Sequence, residues 1–275
     1  MRWLLWRNLV AIKRNPFAFK IQLIQTMVIS ILFGLIYFQL ELSQKAVQNI
    51  NGVLFLCLTN NSFSSLVVVL NTFPAEIPLF IREHQNRMYR LISYYMSKVI
   101  IEVPMFIVLP FFFMLIVYWM ANIGQSIQGF LICTGIIILS AQAAVSFGNF
   151  LSATAPSTNV AIALAGPILV PLMIFSGFLI NFDDVPVYFL FLRYISWFGY
   201  ANEALQVNQW EGVKNITCES TGCIQAFSSG DLILSYLQMN PVSFNLYFLD
   251  ILDLNNLLFI EFRKILPLIC TVLEF

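Results

Sequence analysis

Long runs of apolar residues, separated by short polar segments, dominate the pattern along the chain. A run of about 20 apolar residues can cross the roughly 30 Å hydrocarbon core of a bilayer as a helix. Five such spans are predicted, at residues 17–38, 50–72, 98–120, 129–151 and 159–180. The pattern therefore predicts an all-α, polytopic membrane protein.

A sixth span is predicted within residues 244–273, but charged residues interrupt it. These residues are Asp250, Asp253, Glu261, Arg263 and Lys264. Two central Asp residues disfavour membrane insertion by about 5–7 kcal/mol, whereas ten or so Leu, Ile and Phe residues favour it by about 3–6 kcal/mol. We expect packing against other helices to help this segment insert.

Three segments outside the spans have patterns of their own. Residues 1–15 alternate apolar and basic groups, which is typical of an amphipathic helix lying at the membrane interface. Residues 77–90 predict a second short amphipathic helix on the cytoplasmic side, with Pro78 in its first turn. Residues 181–239 form the large non-cytoplasmic loop, with apolar stretches at 185–192 and 195–205 that suit short interfacial helices.

Composition and charge placement agree with this topology. The 275 residues are 59% hydrophobic and 10% charged, whereas soluble domains are near a quarter charged. The net charge is zero, so nucleic acid is not an expected partner. Nine of the fourteen Lys and Arg residues lie in residues 2–20 and 82–98, and basic loops remain in the cytoplasm, so the N-terminus is predicted to be inside.

Catalytic motifs are not evident in the chain. It has no phosphate-cradling GxxxxGK[ST] loop and no zinc-ligand spacing, and no paired carboxylates share a predicted pocket. His84 is the one histidine, and a solvated loop position is expected for it rather than a proton-coupled role.

Polar side chains inside the second span are the most informative local feature, because their burial in lipid is costly. Thr59, Asn60 and Ser62 lie within one helical turn, and Phe63 follows Thr59 at i+4. Together they could line a substrate pathway; the alternative is that they hydrogen-bond neighbouring helices together.

The fifth span contains helix-breaking residues at Gly166, Pro167 and Pro171. Such a break accompanies a cavity in some membrane helices and is a plain kink in others. Val170 and Met173 are one turn apart and could face that cavity or pack in the core. The apolar run after them, which includes Phe178 and Leu179, could form a constriction near the outer end or could simply pack.

Charged and polar residues in the loops suggest local contacts and modifications. Glu76, Glu83 and Glu102 are expected to pair with nearby arginines, namely Arg82, Arg87 and Arg90. In the non-cytoplasmic loop, Asn215-Ile216-Thr217 is a glycosylation acceptor. Cys218 and Cys223 are expected to close a small disulfide loop or to bridge two subunits.

Several motifs, taken in order, resemble the membrane domain of G-subfamily ABC half-transporters over roughly residues 1–240. They are the run from Asn51-Gly52 to Thr59-Asn60, Phe80-Ile81-Arg82-Glu83-His84 with Tyr89-Arg90, Glu102-Val103-Pro104, Ser176-Gly177-Phe178-Leu179, Tyr200-Ala201-Asn202-Glu203 and Asn208-Gln209-Trp210. Within the subfamily, the likeness is strongest to the branch that moves eye-pigment precursors.

The resemblance implies six spans, an elbow helix at 1–15 and a coupling helix at 77–90. It implies a cavity between two such membrane domains, with an apolar plug above it. The cavity positions are Thr59, Asn60, Phe63, Val170 and Met173, and the plug positions are Phe178 and Leu179. The coupling positions are Arg82, Glu83, Tyr89, Arg90 and Glu102.

The resemblance also implies a function: ATP-driven transport of small planar or lipophilic molecules, such as guanine- or tryptophan-derived pigment precursors, by a dimer. In the family an ATP-binding domain precedes the membrane domain, so the implied ATP and Mg²⁺ belong on a missing or partner domain. The expected partner is a second half-transporter, in a plasma or granule membrane. The alternative is a truncated, non-transporting subunit that regulates a full-length partner; a channel or receptor is a third, less favoured reading.

Overall fold

A computed structural model describes residues 2–14, 17–41, 43–86, 88–124, 126–180, 187–211, 213, 216, 229–237 and 239. Helices form this part of the chain, and no β-strand occurs in it. The α-helices are α1 Arg2–Arg14, α2 Phe17–Ile36, α3 Gln44–Gln85, α4 Leu91–Ala121, α5 Ile127–Thr154, α6 Thr158–Ile174, α7 Leu190–Ile195, α8 Trp197–Trp210 and α9 Gly230–Tyr236, with a 3₁₀ turn at Val187–Phe189. The predicted all-α fold class is confirmed.

Among the described residues, four helices are long and apolar enough to cross a membrane, and they match the first four predicted spans. The apolar segments are Phe19–Ile36, Ala46–Pro74, Ser93–Ala121 and Ile127–Thr154. The shorter apolar helix α6 corresponds to the fifth predicted span but ends at Ile174, six residues early. The segment of the predicted sixth span lies outside the described residues.

Helix α3 differs from the prediction because one 42-residue helix replaces a span followed by a separate coupling helix. It continues through Pro74 and Pro78, which lie four residues apart. A proline inside a helix removes the hydrogen bond to the carbonyl four residues earlier. Here that affects the carbonyls of Leu70 and Pro74, at the end of the apolar segment. The missing bonds therefore fall close to the membrane boundary, where water can replace them.

The bundle is built around α3 and α5, which pack along each other and also contact α6 and α8. Their seam is close because Gly148 on α5 lies over Val69 on α3. On the other side, α2 packs against α4, and the two helix ends are joined by backbone hydrogen bonds from Gln39 and Leu40 to the carbonyls of Met120 and Ala121. Helix α2 leaves most of its apolar side chains exposed, as expected of a surface that faces lipid.

Helix α8 is buried in the bundle, although the sequence predicted an interfacial helix. Its buried side chains include Trp197, Phe198, Leu205 and Trp210. The indole N–H of Trp210 donates to the Asn51 side chain on α3 at 2.7 Å. Because α8 fills the angle between α3, α5 and α6, it fixes the surface on which the predicted cavity residues lie.

Candidate functional site

The polar cluster of the second span is divided between the faces of α3. Thr59 is buried, and its hydroxyl donates to the Phe55 and Leu56 carbonyls of its own helix at 2.9 and 3.2 Å. Asn61 is also buried, and its amide donates to the Cys57 carbonyl at 2.8 Å. Asn60, in contrast, is only half-buried. The amide with space for a ligand is therefore that of Asn60.

Phe63 lies one turn further along α3, next to the exposed side chain of Ser64. Its ring packs against Phe198 of α8, with centroids 6.2 Å apart and planes inclined by 34°. The ring is half-buried, so the packing against α8 holds it in place while leaving part of it uncovered. A ring in this position can stack on a planar aromatic molecule.

Helix α6 packs beside this part of α3 and carries the other two predicted cavity residues. The side chain of Val170 is 44% exposed, whereas Met173 is half-buried against the core. Val170 is therefore the more exposed of the two residues. Within this chain the predicted cavity residues lie on two adjacent helices, α3 and α6.

The predicted plug residues follow the end of α6. Gly177 has φ of 79°, a conformation that favours glycine and turns the chain after the helix. This turn brings the Phe178 ring onto the Phe55 ring of α3, with centroids 4.4 Å apart and planes inclined by 17°. Leu179 points outward and is 52% exposed.

Two buried side chains of the α7–α8 region hold the end of α6 in position. The Ser196 hydroxyl donates to the Leu172 carbonyl at 2.7 Å, and the Asn202 amide donates to the Ser176 carbonyl at 3.3 Å. A helix end leaves carbonyls without intrahelical partners, so these bonds supply donors that the last turn needs. Neither role was predicted from the sequence.

Phe55 is a further site residue that sequence reasoning missed. It is 5% exposed and lies four residues before Thr59, one turn away on the same face of α3. That spacing was a usable signal, because residues at i and i+4 share a helix face.

The predicted coupling residues lie at the other end of α3, where α1 approaches. One guanidinium nitrogen of Arg7 contacts both carboxylate oxygens of Glu83 at 2.9 Å. The Tyr89 hydroxyl donates to the same carboxylate at 2.5 Å. Glu83 thus contacts Arg7 of α1, a pairing that was not predicted, and the side chains of Arg82 and Arg90 are exposed.

The environment of this network shifts the pKa of two groups outside the spans. Burial tends to raise the pKa of Glu83, but hydrogen bonds from Tyr89 and Arg7 and the charge of Arg7 outweigh it and hold the pKa below its usual value. Burial and the hydrogen bond to Glu83 raise the pKa of Tyr89 to about 12. Glu83 is therefore ionised, and Tyr89 remains a donor, at physiological pH.

An aromatic cluster supports the same region from inside. Phe80 is buried, and its ring lies 4.6 Å from the Tyr94 ring, 5.6 Å from His84 and 6.3 Å from Tyr89. His84 is half-buried against this cluster and so is not the solvated loop residue that was expected. The packing joins the end of α3 to the start of α4.

A second network of ion pairs lies about two helical turns before Glu83 on α3, closer to the centre of the membrane-spanning segment. The Lys98 ammonium contacts Glu76 and lies 3.3 Å from Glu102, and only 5% of its side chain is exposed. The Tyr94 hydroxyl donates to Glu76 at 3.2 Å. Glu102, predicted as a coupling residue, thus joins α4 to the lower part of α3 through Lys98.

The remaining predicted sites are outside the described residues or concern ligands. Asn215, Cys218 and Cys223 belong to the part of the chain that is not described. Cys57 and Cys133 are buried free thiols in the core. In the described ranges, no group of three His, Cys, Asp or Glu side chains could hold a metal ion.

Comparison of the sequence with known proteins identifies its family. A family model described as ABC-2 type transporter matches residues 1–210. The chain is 38% identical to Protein white of Drosophila melanogaster over 249 residues, which are 86% of this chain and 36% of that protein. It is 31% identical to Protein scarlet of Drosophila melanogaster over 86% of this chain and 36% of that protein.

A third relative is the mouse broad substrate specificity ATP-binding cassette transporter ABCG2, which is 32% identical over 83% of this chain and 35% of its own length. The chain therefore spans about a third of the length of the curated relatives it matches.

Proposed function

The chain belongs to the ABC-2 type transporter family and resembles the White-like members of the G subfamily, and from that premise we propose that it is the membrane-spanning part of an ATP-driven half-transporter. We assign ATP and Mg²⁺ to a nucleotide-binding domain outside residues 1–275, because this sequence contains no phosphate-cradling GxxxxGK[ST] loop. The transporter is a dimer with a second half-transporter of the same subfamily.

The observation that carries this proposal is the half-open polar and aromatic face of α3. The Asn60 amide and the Phe63 ring are both only half-buried inside a membrane-spanning helix. A polar group within a span is costly, and such groups mark substrate pathways more often than other positions do. The Asn60 side chain supplies donors and an acceptor, and the Phe63 ring supplies a flat apolar surface.

The same face supports a dimeric cavity. Leu56, Ser64 and Val67 are exposed along α3, and the space around Gly52 on α3 and Gly166 on α6 is open. A second copy of this surface, or that of a related half-transporter, would close the pathway from the opposite side. One protomer supplies half of the cavity in this arrangement.

The substrates that suit this face are small, planar and lipophilic. Ring stacking on Phe63 and hydrogen bonding to Asn60 select a heteroaromatic molecule with polar edges. By likeness to White, we assign the chain to guanine- or tryptophan-derived pigment precursors. Val170 and Met173 add apolar contact from α6, and Phe178 with Leu179 closes the pathway above it.

Helix α3 connects the substrate face to the energy source. It runs without interruption from Thr59 to Gln85, a rise of about 40 Å at 1.5 Å per residue. Arg82 and Arg90 are exposed at its cytoplasmic end, where they suit contact with an ATP-binding domain. Glu83, Tyr89 and Glu102 tie this end to α1 and α4, so closure of the ATP-binding domains moves these elements together.

Uptake of labelled guanine and tryptophan into sealed vesicles tests the proposal. Vesicles are prepared from cells that express this chain with a full-length half-transporter, the partner alone, or this chain with an ATPase-inactive partner. We expect ATP-dependent uptake only where this chain and an active partner are both present. Equal uptake with and without the chain would instead indicate a non-transporting regulatory subunit.

A further inference from the structure

A cavity of about 490 Å³ lies between α1, α3 and α4, away from the proposed substrate face. Apolar side chains form part of its wall, including Leu79, Phe80 and Ile101. Its remaining wall is unusually rich in charge. The volume is within the range of cavities that hold small molecules or lipid headgroups.

Negatively charged side chains outnumber positively charged ones among the described residues of the cavity wall. In the described part of the chain, three carboxylates line the cavity, those of Glu76, Glu83 and Glu102, together with two cations, Arg7 and Lys98. Arg7 contacts both oxygens of Glu83. Glu76 and Glu102 therefore share the single ammonium of Lys98. One further cation would balance the charge at Glu76 and Glu102, whose side chains are 47% and 24% exposed.

The position of the cavity indicates where that cation comes from. Helix α1 exposes Trp3 and Trp6, residues that prefer headgroup depth in a membrane. Glu76 follows the end of the second apolar segment by two residues. Ile100 precedes the wall residue Ile101 in the third apolar segment, and its side chain is 51% exposed. The cavity therefore lies at the boundary between the hydrocarbon core and the aqueous phase.

We propose that this cavity binds the primary ammonium group of an aminophospholipid headgroup. The ammonium donates hydrogen bonds to Glu76 and Glu102 beside Lys98. Lys13 and Arg14, which are exposed on α1, supply the positive charge that the lipid phosphate requires. The acyl chains then lie against the apolar surface of α4 that includes Ile100.

Native mass spectrometry of the purified full-length chain tests this site. The chain is equilibrated with dioleoyl phosphatidylethanolamine, its N-methyl and N,N-dimethyl forms, and dioleoyl phosphatidylcholine. All four carry the same charge and acyl chains, but they lose one N–H donor at each step. We expect the ethanolamine lipid to be retained about tenfold over the choline lipid, as charge-assisted hydrogen bonds predict, with the two intermediates ranked between them.

Matched variants locate the effect. Glu76→Gln removes an acceptor charge, and Leu79→Trp fills the cavity while leaving every charged group in place. Both should abolish the preference, whereas Glu41→Gln, an exposed carboxylate elsewhere in the chain, should preserve it. The use of two variants with different chemistry keeps the test valid if Glu76→Gln lowers the yield of folded protein.

Three results would overturn the proposal. Equal retention of the ethanolamine and choline lipids would show that N–H donation is not recognised. Displacement of the lipid by free ethanolamine at equal concentration would assign the site to a soluble amine. Loss of the lipid when the chain assembles with its partner half-transporter would assign the space to a basic side chain of that partner.

Discussion

The ring of Phe55 lies nearly parallel to the ring of Phe178, with centroids 4.4 Å apart. This contact joins α3 to the turn after α6, and it is made directly above the half-open face that carries Asn60 and Phe63. Aromatic pairs of this kind contribute about 0.5–1.5 kcal/mol beyond the burial of their area. The stack therefore stabilises one arrangement of the proposed plug without making another arrangement inaccessible.

Replacing either ring should weaken the plug. We expect Phe55→Ala and Phe178→Ala each to raise the ATP-independent leak of labelled substrate from loaded vesicles about two- to tenfold. Because the two rings act as a pair, the double variant should leak little more than either single variant. Phe111→Ala, at a partly exposed ring on α4, is the control and should leave the leak unchanged. Additive effects of Phe55→Ala and Phe178→Ala would contradict the stack.

The contact between Arg7 and Glu83 should stabilise the junction of α1 with the bundle. Arg7→Ala and Glu83→Gln are each expected to lower the thermal midpoint by about 2–4 °C, which corresponds to roughly 1 kcal/mol in a chain of this size. The exchange Arg7→Glu with Glu83→Arg should restore part of the loss. Arg82→Ala, at an exposed arginine one residue away, should leave the midpoint unchanged.

The pH dependence of this contact follows from the lowered pKa of Glu83. A carboxyl whose pKa is lower in the folded state stabilises the fold fully above its usual value and loses that contribution as the pH falls through the folded value. The difference in thermal midpoint between the unsubstituted chain and Glu83→Gln should therefore be constant near neutral pH and shrink only below about pH 4.5. A difference that disappears between pH 6 and 8, about where histidine titrates, would contradict this assignment.

Gly148 should be essential for the seam between α3 and α5. An added Cβ at this position would lie 3.3 Å from the Val69 side chain and 3.5 Å from the Leu66 carbonyl. Gly148→Leu is expected to reduce the fraction of monodisperse protein after heating, with an overpacking cost of about 1–3 kcal/mol, and Val69→Ala should partly rescue it. Gly135→Leu, on the same helix with open space around it, is the control.

Much of the helical framework could be predicted from the sequence, because the length of an apolar run is a strong indicator of a membrane-spanning helix. The limits of α2 and α5 differ from the predicted spans by at most three residues, whereas α4 begins seven residues before its predicted span. Helix α3 was predicted less well, since Pro78 indicated the first turn of a separate short helix. A helix tolerates a proline where the carbonyl that loses its hydrogen bond lies near water. The local sequence does not show whether that carbonyl is near water.

Contacts between distant segments could not be predicted from the sequence. Arg7 and Glu83 are 76 residues apart, and only the packing of α1 brings them together. The burial of α8 was missed because the apolar stretch 195–205 was assigned to an interfacial helix, whereas even its polar residue Asn202 is buried in the structure. The candidate site itself was located by its polar residues inside a span, but the stack of Phe55 on Phe178 depends on the turn after α6, which the local sequence does not specify.

The proposed topology places Asn215 on the non-cytoplasmic side. Expression in insect cells should yield a glycosylated chain whose gel mobility increases after endoglycosidase treatment, and Asn215→Gln should remove that shift. Asn60→Gln, which alters the formal acceptor Asn60-Asn61-Ser62 within α3, should retain it. A chain without glycan, together with labelling of an introduced cysteine near Asn215 from the cytosol alone, would contradict this orientation.

ATP-dependent uptake by Asn60→Ala, measured per molecule at the membrane surface, tests the central claim most directly. Thr72→Ala is the matched control, because Thr72 lies on the same helix about 120° round from Asn60 and its hydroxyl donates to the Val68 carbonyl. Loss of a hydrogen bond to the substrate predicts a two- to roughly tenfold fall in uptake for Asn60→Ala at unchanged surface amount. Equal uptake by the two variants, or a fall in uptake matched by an equal fall in surface amount, would contradict the proposed substrate face.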